Sequence, residues 1–245
     1  VDDEDGGAPG GNIRVGFLYN PNKVSFTPKG TPDATTAVQI EGAGDSINLS
    51  LHPGWIDPTN LAFDDSRKSI AAQFEYNGEK IFVINNHFCS KGGDDPLFGN
   101  RQPPVLESVE QRTEQAEVIN DFVNQILTAD SDANVIVLGD LNDFEFSSPV
   151  DTLEGNILNN KIEELPCNER FTYIFEGNYQ VLDHILVSDS LHDRTEIEIV
   201  TVNSIFAEYG STGIYTDHDP VIAEISNIGQ WDSRKLFSYL IYTTK

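Results

Sequence analysis

Side chains that could do acid–base or metal chemistry occur in four clusters, each beside or within a short apolar segment. They are Asn85-Asn86-His87, Gly139-Asp140-Leu141-Asn142-Asp143, Asp183-His184 and Thr216-Asp217-His218-Asp219. Carboxylates and imidazoles together can activate water, orient a general base or bind a divalent cation. Because sheet proteins commonly hold catalytic groups on loops at one edge of a rigid scaffold, the clusters predict one polar site at such an edge.

Each cluster also has an ordinary structural interpretation. His87 at a strand end could be a hydrogen-bonded packing residue, and residues 139–143 could form an Asx turn. Asp183 points to function more strongly, because a carboxylate within a run of Val, Leu and Ile is costly to bury unless it is paired or bound to metal. The adjacent acid and imidazole of Asp217 and His218 are a common arrangement for orienting and tuning a base. Taken together, the four clusters favour a functional site.

The elements expected to position these clusters are mainly strands. Asn77-Gly78 predicts a hairpin that joins strands at 69–76 and 80–85. Apolar or small residues at steps of three, four or seven predict an amphipathic helix within 107–127. Further strands are predicted at 13–19, 135–138, 181–187, 197–202 and 220–225, and loops with short strands at 28–65. Strands therefore outnumber helices, and no internal repeat is evident.

The composition excludes several classes of protein. The sequence has 245 residues with 40 Asp and Glu against 15 Lys and Arg, and its formal net charge of −25 excludes a basic module that wraps nucleic acid. Its 14 Phe and 8 Tyr exclude a disordered acidic tail. No apolar run approaches the roughly 20 residues that span a bilayer. The beginning of the sequence lacks the basic and apolar regions of a secretory signal.

Two explanations of the acidic charge remain open. Acidic residues that are spread along the chain suit a surface adapted to high salt or to the outside of a cell. A clustered acidic patch would instead indicate a cationic partner or metals. The spread distribution favours the first explanation. Cys89 and Cys167 are equally compatible with one disulfide and with two free thiols, because their pairing depends on geometry.

The four clusters, in their order and spacing, resemble the motifs of the endonuclease/exonuclease/phosphatase superfamily, which includes deoxyribonuclease I and the abasic-site endonucleases. The resemblance covers about 13–226. Residues 13–21, 90–99 and 112–116 resemble secreted bacterial and archaeal nucleases most closely. The family implies an α/β fold, a two-layer β-sandwich flanked by helices. The domain at 13–226 would then lie between an acidic Gly-rich loop at 1–12 and an unassigned tail at 227–245.

The resemblance also implies roles for the residues around the phosphate. His218 would activate water or stabilise the attacked phosphate, and Asp217 would orient the site and help to bind a divalent metal. Asp140 and Asn142 would position the water and the phosphate oxygens, and could hold a second metal. Hard oxygen ligands of this kind suit Mg²⁺ best among the expected ions, with Mn²⁺ or Ca²⁺ as alternatives.

Two further residues complete the implied site, and two others have open interpretations. The resemblance implies that His87 donates to phosphoryl oxygens and that Asp183 orients an imidazole, either His218 or His87. Lys91, in a Gly-rich loop, and Arg112, early on the predicted helix, could contact phosphate or could be solvated side chains. We therefore leave Lys91 and Arg112 outside the predicted site.

The implied activity is that of a metal-dependent phosphodiesterase, and we expect a secreted, monomeric endonuclease that acts on DNA or RNA without a membrane or protein partner. A phosphatase or sphingomyelinase-like hydrolase of the same fold, and an inactive remnant, are the alternatives. The family also has a strand carrying an Asn and another carrying a metal-binding Glu, and neither has a counterpart upstream of Ile13. The resemblance therefore implies that the N-terminal strands of the domain are missing from this sequence.

Overall fold

The computed structural model describes residues 13–208, 216–226, 228 and 236–238. The predicted loop at 1–12 and most of the predicted tail at 227–245 lie outside these residues. The described strands are β1 (Ile40–Glu41), β2 (Asn48–Leu49), β3 (Gly54–Trp55), β4 (Ile70–Tyr76), β5 (Glu79–His87), β6 (Asn134–Asp140), β7 (Asn159–Asn160), β8 (Tyr173–Phe175), β9 (Asn178–Gln180), β10 (Asp183–Val187), β11 (Thr195–Ile199), β12 (Val221–Ile225) and β13 (Leu236–Ser238). The α-helices are α1 (Val109–Ala129), α2 (Ser148–Glu154), α3 (Asp189–His192) and α4 (Ser204–Glu208).

A six-stranded mixed sheet forms the centre of the fold, in the order β3-β4-β5-β6-β10-β7. Strands β5 and β6 are parallel, and the other neighbours are antiparallel. A second, three-stranded antiparallel sheet has the order β11-β12-β13. Two small hairpins, β1-β2 and β8-β9, complete the described strands.

The continuous apolar run in β6 is explained by burial on both faces of the central sheet. Val135 and Val137 belong to the core cluster that contains the buried face of α1. Ile136 and Leu138 belong to the opposite cluster, which contains residues of β10 and β12. Strands covered on both sides lose the polar alternation of a half-exposed strand. The predicted two-layer sandwich with flanking helices is therefore confirmed.

The predictions for the hairpin and the long helix are also confirmed. Asn77 and Gly78 have φ values of 51° and 83°, the left-handed conformations that a tight turn between twisted strands requires. Helix α1 buries Ile119, Val123 and Ile126 against the sheet, which accounts for the observed apolar spacing. No helix among the described residues has both the length and the apolar character needed to cross a membrane.

The strand predicted at 13–19 is wrong. Val15 packs against Trp55 and Ile70, and the Asn85 side chain donates to the Gly16 carbonyl at 2.8 Å. The segment nevertheless forms no ladder with any described strand. Its alternating pattern therefore reflects contact with an apolar surface without strand pairing.

Other boundaries differ from the predictions by about two residues. Strand β10 begins at Asp183, because the backbone of Leu182 is engaged by Thr172 and Leu141. Strand β11 ends at Ile199, and its following residue bonds to the Pro220 carbonyl. Helix α2 and the β8-β9 hairpin were not predicted, since neither has a strong periodicity or an Asn-Gly turn. Both cysteines are free thiols in the structure.

Candidate active site

Three of the four polar clusters meet where β5, β6 and β10 lie side by side. His87 is the register partner of Asp140 across the parallel pair, and Asp140 is the partner of Asp183 across the antiparallel pair. Directly paired residues on adjacent strands place their side chains on the same face of a sheet. The register therefore brings residues that are distant in sequence into one row at the sheet edge.

Gly139 allows the middle strand to approach its neighbour at this point. Its φ is 142°, and a Cβ there would lie 2.0 Å from the carbonyl oxygen of Asn86. A side chain cannot be accommodated against backbone at that distance. The glycine before Asp140 is thus required by strand packing.

His218 completes the row from the fourth cluster. Its Nδ1 lies 2.7 Å from Oδ2 of Asp183, so the carboxylate fixes the orientation of the imidazole. The loop carrying His218 is anchored by the buried Asp219, whose Oδ1 accepts hydrogen bonds from the backbone of Val202, Asn203 and Ser204. Asp219 therefore has a structural role, and Asp217 and His218 are the catalytic candidates of this cluster.

Asp140 is held by the turn that follows it. Its Oδ1 accepts a hydrogen bond from the Asn142 backbone at 2.9 Å, and its Oδ2 lies 3.4 Å from Nε2 of His87. Asn142 has a φ of 51°, and its side chain donates to the Phe88 carbonyl at 3.0 Å. The Asx turn that sequence alone suggested is present. It coexists with the site by fixing the carboxylate beside the imidazole.

The two imidazoles have opposite electrostatic surroundings. Burial lowers the pKa of His218, but the charge and hydrogen bond of Asp183, with the charges of Asp140 and Asp217, outweigh it and raise that pKa to about 9. Burial and the positive charges of Arg67 and His218 lower the pKa of His87 to about 2. At neutral pH the site therefore contains one charged and one neutral imidazole, which suits them to different tasks.

Asp140 belongs to a cluster that could bind a cation. Burial, with the nearby charge of Asp183, raises the pKa of its carboxyl well above the ordinary range. Asp140, Asp183 and His218 each offer one ligand atom, and these atoms lie within 4.8 Å of one another. Crowded carboxylates are oxygen donors that divalent ions accept, and a bound cation would relieve their repulsion; His218 would have to lose its proton to join them as a ligand. The residues therefore fit a divalent metal.

A cavity of about 890 Å³ opens beside this row. Five of the six predicted site residues line it, namely His87, Asp140, Asn142, Asp217 and His218. Asp183 is hydrogen-bonded to His218 and does not line the cavity. Asp217 and Asn142 fall outside the three-residue cation cluster, so their role as metal ligands stays a prediction.

Arg112 and Lys91, which the sequence left open, have different surroundings. Arg112 is fully buried, and its guanidinium donates to Asp143 at 2.7 Å and to Asp94 at 2.9 Å, so it is neither solvated nor directed at a substrate. Lys91 lines the cavity, donates to Asp143 at 3.2 Å and lies over the Phe144 ring at 4.5 Å. Arg112 and Lys91 thus link the 90–99 loop to the turn after β6.

Two residues that the sequence analysis did not single out belong to the site, and one residue of the four clusters does not. Tyr173 lines the cavity with its ring centroid 4.8 Å from that of His218. Arg67 also lines the cavity and donates to the Phe88 carbonyl. No motif marks either residue. His184, next to Asp183, is buried with its Nε2 2.9 Å from the Asp143 carbonyl, and its role is structural.

A family model described as the Endonuclease/Exonuclease/phosphatase family matches residues 55–210. The match covers more than half of the chain and contains three of the four clusters. The chain belongs to the endonuclease/exonuclease/phosphatase family. No curated protein matches its sequence.

Three solved structures match this chain at low sequence identity. The catalytic domain of human Nocturnin is 13% identical with a TM-score of 0.43, over 74% of this chain and 53% of that one. A mannosyl-6-phosphatase from Bacteroides thetaiotaomicron is 16% identical with a TM-score of 0.48, over 83% and 67%. Truncated TDP2 from Caenorhabditis elegans is 17% identical with a TM-score of 0.49, over 76% and 65%. The chain thus spans about half of the Nocturnin domain and about two thirds of the other two.

Proposed function

We propose that this chain carries the active site of a divalent-metal-dependent phosphodiesterase, a secreted endonuclease that hydrolyses DNA or RNA. One observation carries the proposal: His218, hydrogen-bonded to Asp183, lies with Asp140 and His87 at the wall of one cavity. Phosphodiester hydrolysis requires an in-line water, a polarised phosphorus and a stabilised leaving oxygen. This row of side chains would supply groups that orient the water and stabilise the phosphate, and a cation held by it would stabilise the leaving oxygen.

The two imidazoles would act on different parts of the phosphate. His218 is protonated at neutral pH because its pKa is about 9, and it would stabilise the negative charge that develops on the attacked phosphate. It would become a base only after losing that proton. His87 is neutral because its pKa is about 2, and its Nε2 could donate a hydrogen bond to a phosphoryl oxygen. Asp183 would hold His218 in place throughout.

The carboxylates would position water and hold the cation. Asp140 and Asn142 would orient the attacking water and the phosphate oxygens, and Asp140 with Asp217 would contribute metal ligands. When bound, a divalent cation such as Mg²⁺ would polarise the phosphate and neutralise charge on the leaving oxygen. Oxygen-rich donors of this kind favour Mg²⁺, Mn²⁺ or Ca²⁺.

Secretion is proposed from the charge of the chain. A net charge of −25 maintains solubility in high external salt, where repulsion of a polyanionic substrate is screened. We propose that the protein acts as a monomer.

Hydrolysis assays with matched variants test the proposal. We expect the full-length protein that contains this chain, assayed with Mg²⁺, to cleave plasmid DNA and bis(4-nitrophenyl) phosphate, and His218→Ala or Asp140→Ala to lower its turnover about 100- to 10,000-fold while retaining the fold. The control is His192→Ala, because His192 is half-exposed, pairs with Glu164 and does not line the cavity.

Three results would overturn the assignment in different ways. Full turnover in both site variants would remove these residues from the mechanism. Preferential hydrolysis of 4-nitrophenyl phosphate or sphingomyelin would retain the chemistry and replace the substrate. Absence of hydrolysis and of divalent-cation binding by the wild-type chain would support an inactive remnant.

A further inference from the structure

Aromatic rings form part of the cavity wall, and two of them are unusually exposed. Phe98, in the 90–99 loop, is 86% exposed, and Phe175 in β8 is 47% exposed. Tyr173 lies two residues before Phe175, and their rings are stacked with centroids 6.3 Å apart and planes at 14°. All three residues line the cavity. Exposed aromatic faces at a cleft are characteristic of surfaces that bind another apolar or π face.

These rings are continuous with the catalytic candidates. Tyr173 lies 4.8 Å from His218, measured between ring centroids, with the planes at 31°. A flat group stacked on Tyr173 or Phe175 would therefore lie next to the groups proposed to act on phosphate. In a nucleic acid, the base and the phosphodiester of one nucleotide have this neighbouring relationship.

The charges around the cavity argue against a site that binds mainly through phosphate contacts. Six carboxylate residues line it: Asp65, Asp94, Asp95, Asp140, Asp217 and Glu176. The two Lys or Arg residues in the lining already have protein partners. Lys91 pairs with Asp94 and Asp143, and Arg67 is buried and donates to Phe88. The charges left for a phosphate are then His218 and the proposed cation at the catalytic position, so affinity for the rest of the substrate must come largely from uncharged contacts.

We infer that the cavity binds single-stranded nucleic acid by stacking unpaired bases on Phe98, Tyr173 and Phe175. Base stacking on aromatic side chains tolerates any sequence and requires no cation. A duplex would bind poorly, because its bases are already stacked and paired and their faces are not accessible. The inference rests on the proposed function, which makes nucleic acid the substrate. It adds that the bound nucleic acid is single-stranded.

Binding measurements test the stacking directly. We would measure fluorescence anisotropy of the 245-residue chain with a labelled oligo(dA), the same sequence as a duplex, and an oligomer of abasic residues with the same number of phosphates. The inference predicts the tightest binding for oligo(dA), and binding to the abasic oligomer weaker by on the order of tenfold or more. Equal affinity for oligo(dA) and the abasic oligomer would overturn it.

Conservative variants separate stacking from bulk hydrophobicity. Phe98→Leu and Phe175→Leu keep an apolar side chain and remove the π face, and we expect each to weaken oligo(dA) binding about fivefold or more without changing abasic binding. The matched control is Tyr179→Leu. Tyr179 is 65% exposed in the same hairpin, pairs with Ile174 and does not line the cavity. Unchanged oligo(dA) affinity in both Phe variants would overturn the inference.

Hydrolysis of bis(4-nitrophenyl) phosphate, measured alongside, distinguishes the two proposals. Hydrolysis with no preference for unpaired bases would retain the phosphodiesterase and exclude the stacking site. A preference for oligo(dA) with no hydrolysis of any phosphodiester would retain the stacking site and exclude the proposed function.

Discussion

The electrostatic environment of His218 is not explained by its neighbours in the sequence alone. Asp217 precedes it in the chain, but Asp183, 35 residues away, is the carboxylate at hydrogen-bond distance. Burial acts to lower the pKa of His218, and the surrounding carboxylates reverse the direction. The charged state of this imidazole is therefore a property of the assembled sheet edge.

The raised pKa predicts how stability depends on pH in metal-free protein. A folded-state pKa of about 9, against an ordinary value of 6.5, means that the stabilisation is complete below about pH 6.5 and is lost as pH rises through about 9. The maximum effect is about 3 kcal/mol. We expect the unfolding free energy in EDTA to fall between pH 6.5 and 9 more steeply for wild type than for His218→Asn. Parallel curves from urea titrations would contradict this.

At the scale of elements, a buried ion cluster joins α1, the 90–99 loop and the turn after β6. Arg112 on α1 forms ion pairs with Asp94 and Asp143, and Asp143 also forms an ion pair with Lys91. Asp143 directly follows Asn142, and Lys91 lines the cavity. The cluster therefore fixes two segments of the site wall relative to each other.

Arg112→Met should destabilise the fold strongly. It leaves the buried carboxylates Asp94 and Asp143 without their main cation, and loss of one partner from a buried ion network costs about 3–5 kcal/mol. The control is Arg101→Met, because Arg101 is 64% exposed and lies 3.5 Å from Asp95 in the same region. An exposed pair contributes about 1 kcal/mol or less. Equal urea midpoints for the two variants would refute the cluster's structural role.

The elements predicted successfully were those with a purely local signal. Asn77-Gly78 specified the hairpin turn, and the spacing along α1 specified its buried face. The segment at 13–19 had a strand-like pattern, but strand formation also needs a partner edge, which sequence does not reveal.

The same distinction applies to the site. His87, Asp140 and His218 could be proposed from motifs, since residue type and order are visible in sequence. The pairing of Asp183 with His218 was one of two options, and only the contact between the two side chains in the folded chain resolves it. Tyr173 and Arg67 were missed because they reach the cavity from segments without a motif.

For the whole molecule, the net charge of −25 determines the expected response to salt. A nuclease that binds phosphates with Lys and Arg releases counterions, so its affinity falls steeply as salt rises. Here Lys91 is paired with Asp143, and Arg67 donates to the Phe88 carbonyl. The main effect of salt would therefore be to screen the repulsion between the acidic protein and its polyanionic substrate. The screening length falls from about 10 Å at 0.1 M to about 3 Å at 1 M.

We therefore expect hydrolysis to tolerate salt unusually well. Between 0.1 M and 1 M NaCl, the logarithm of kcat/KM for an oligonucleotide plotted against the logarithm of salt concentration should have a slope near zero or positive. Initial rates at fixed Mg²⁺ measure this slope. A slope of about −3 or steeper would indicate several phosphate contacts and would contradict the charge argument.

His218 and Asp183 are proposed to act as one unit in phosphodiester hydrolysis, and a double-mutant cycle tests this unit most directly. The measurement is kcat for bis(4-nitrophenyl) phosphate with Mg²⁺ in wild type, His218→Ala, Asp183→Asn and the double variant. Because Asp183 would act through His218, we predict that the double variant is no slower than His218→Ala alone. Fully multiplicative losses, or a full-length wild type with no metal-dependent hydrolysis, would contradict the account.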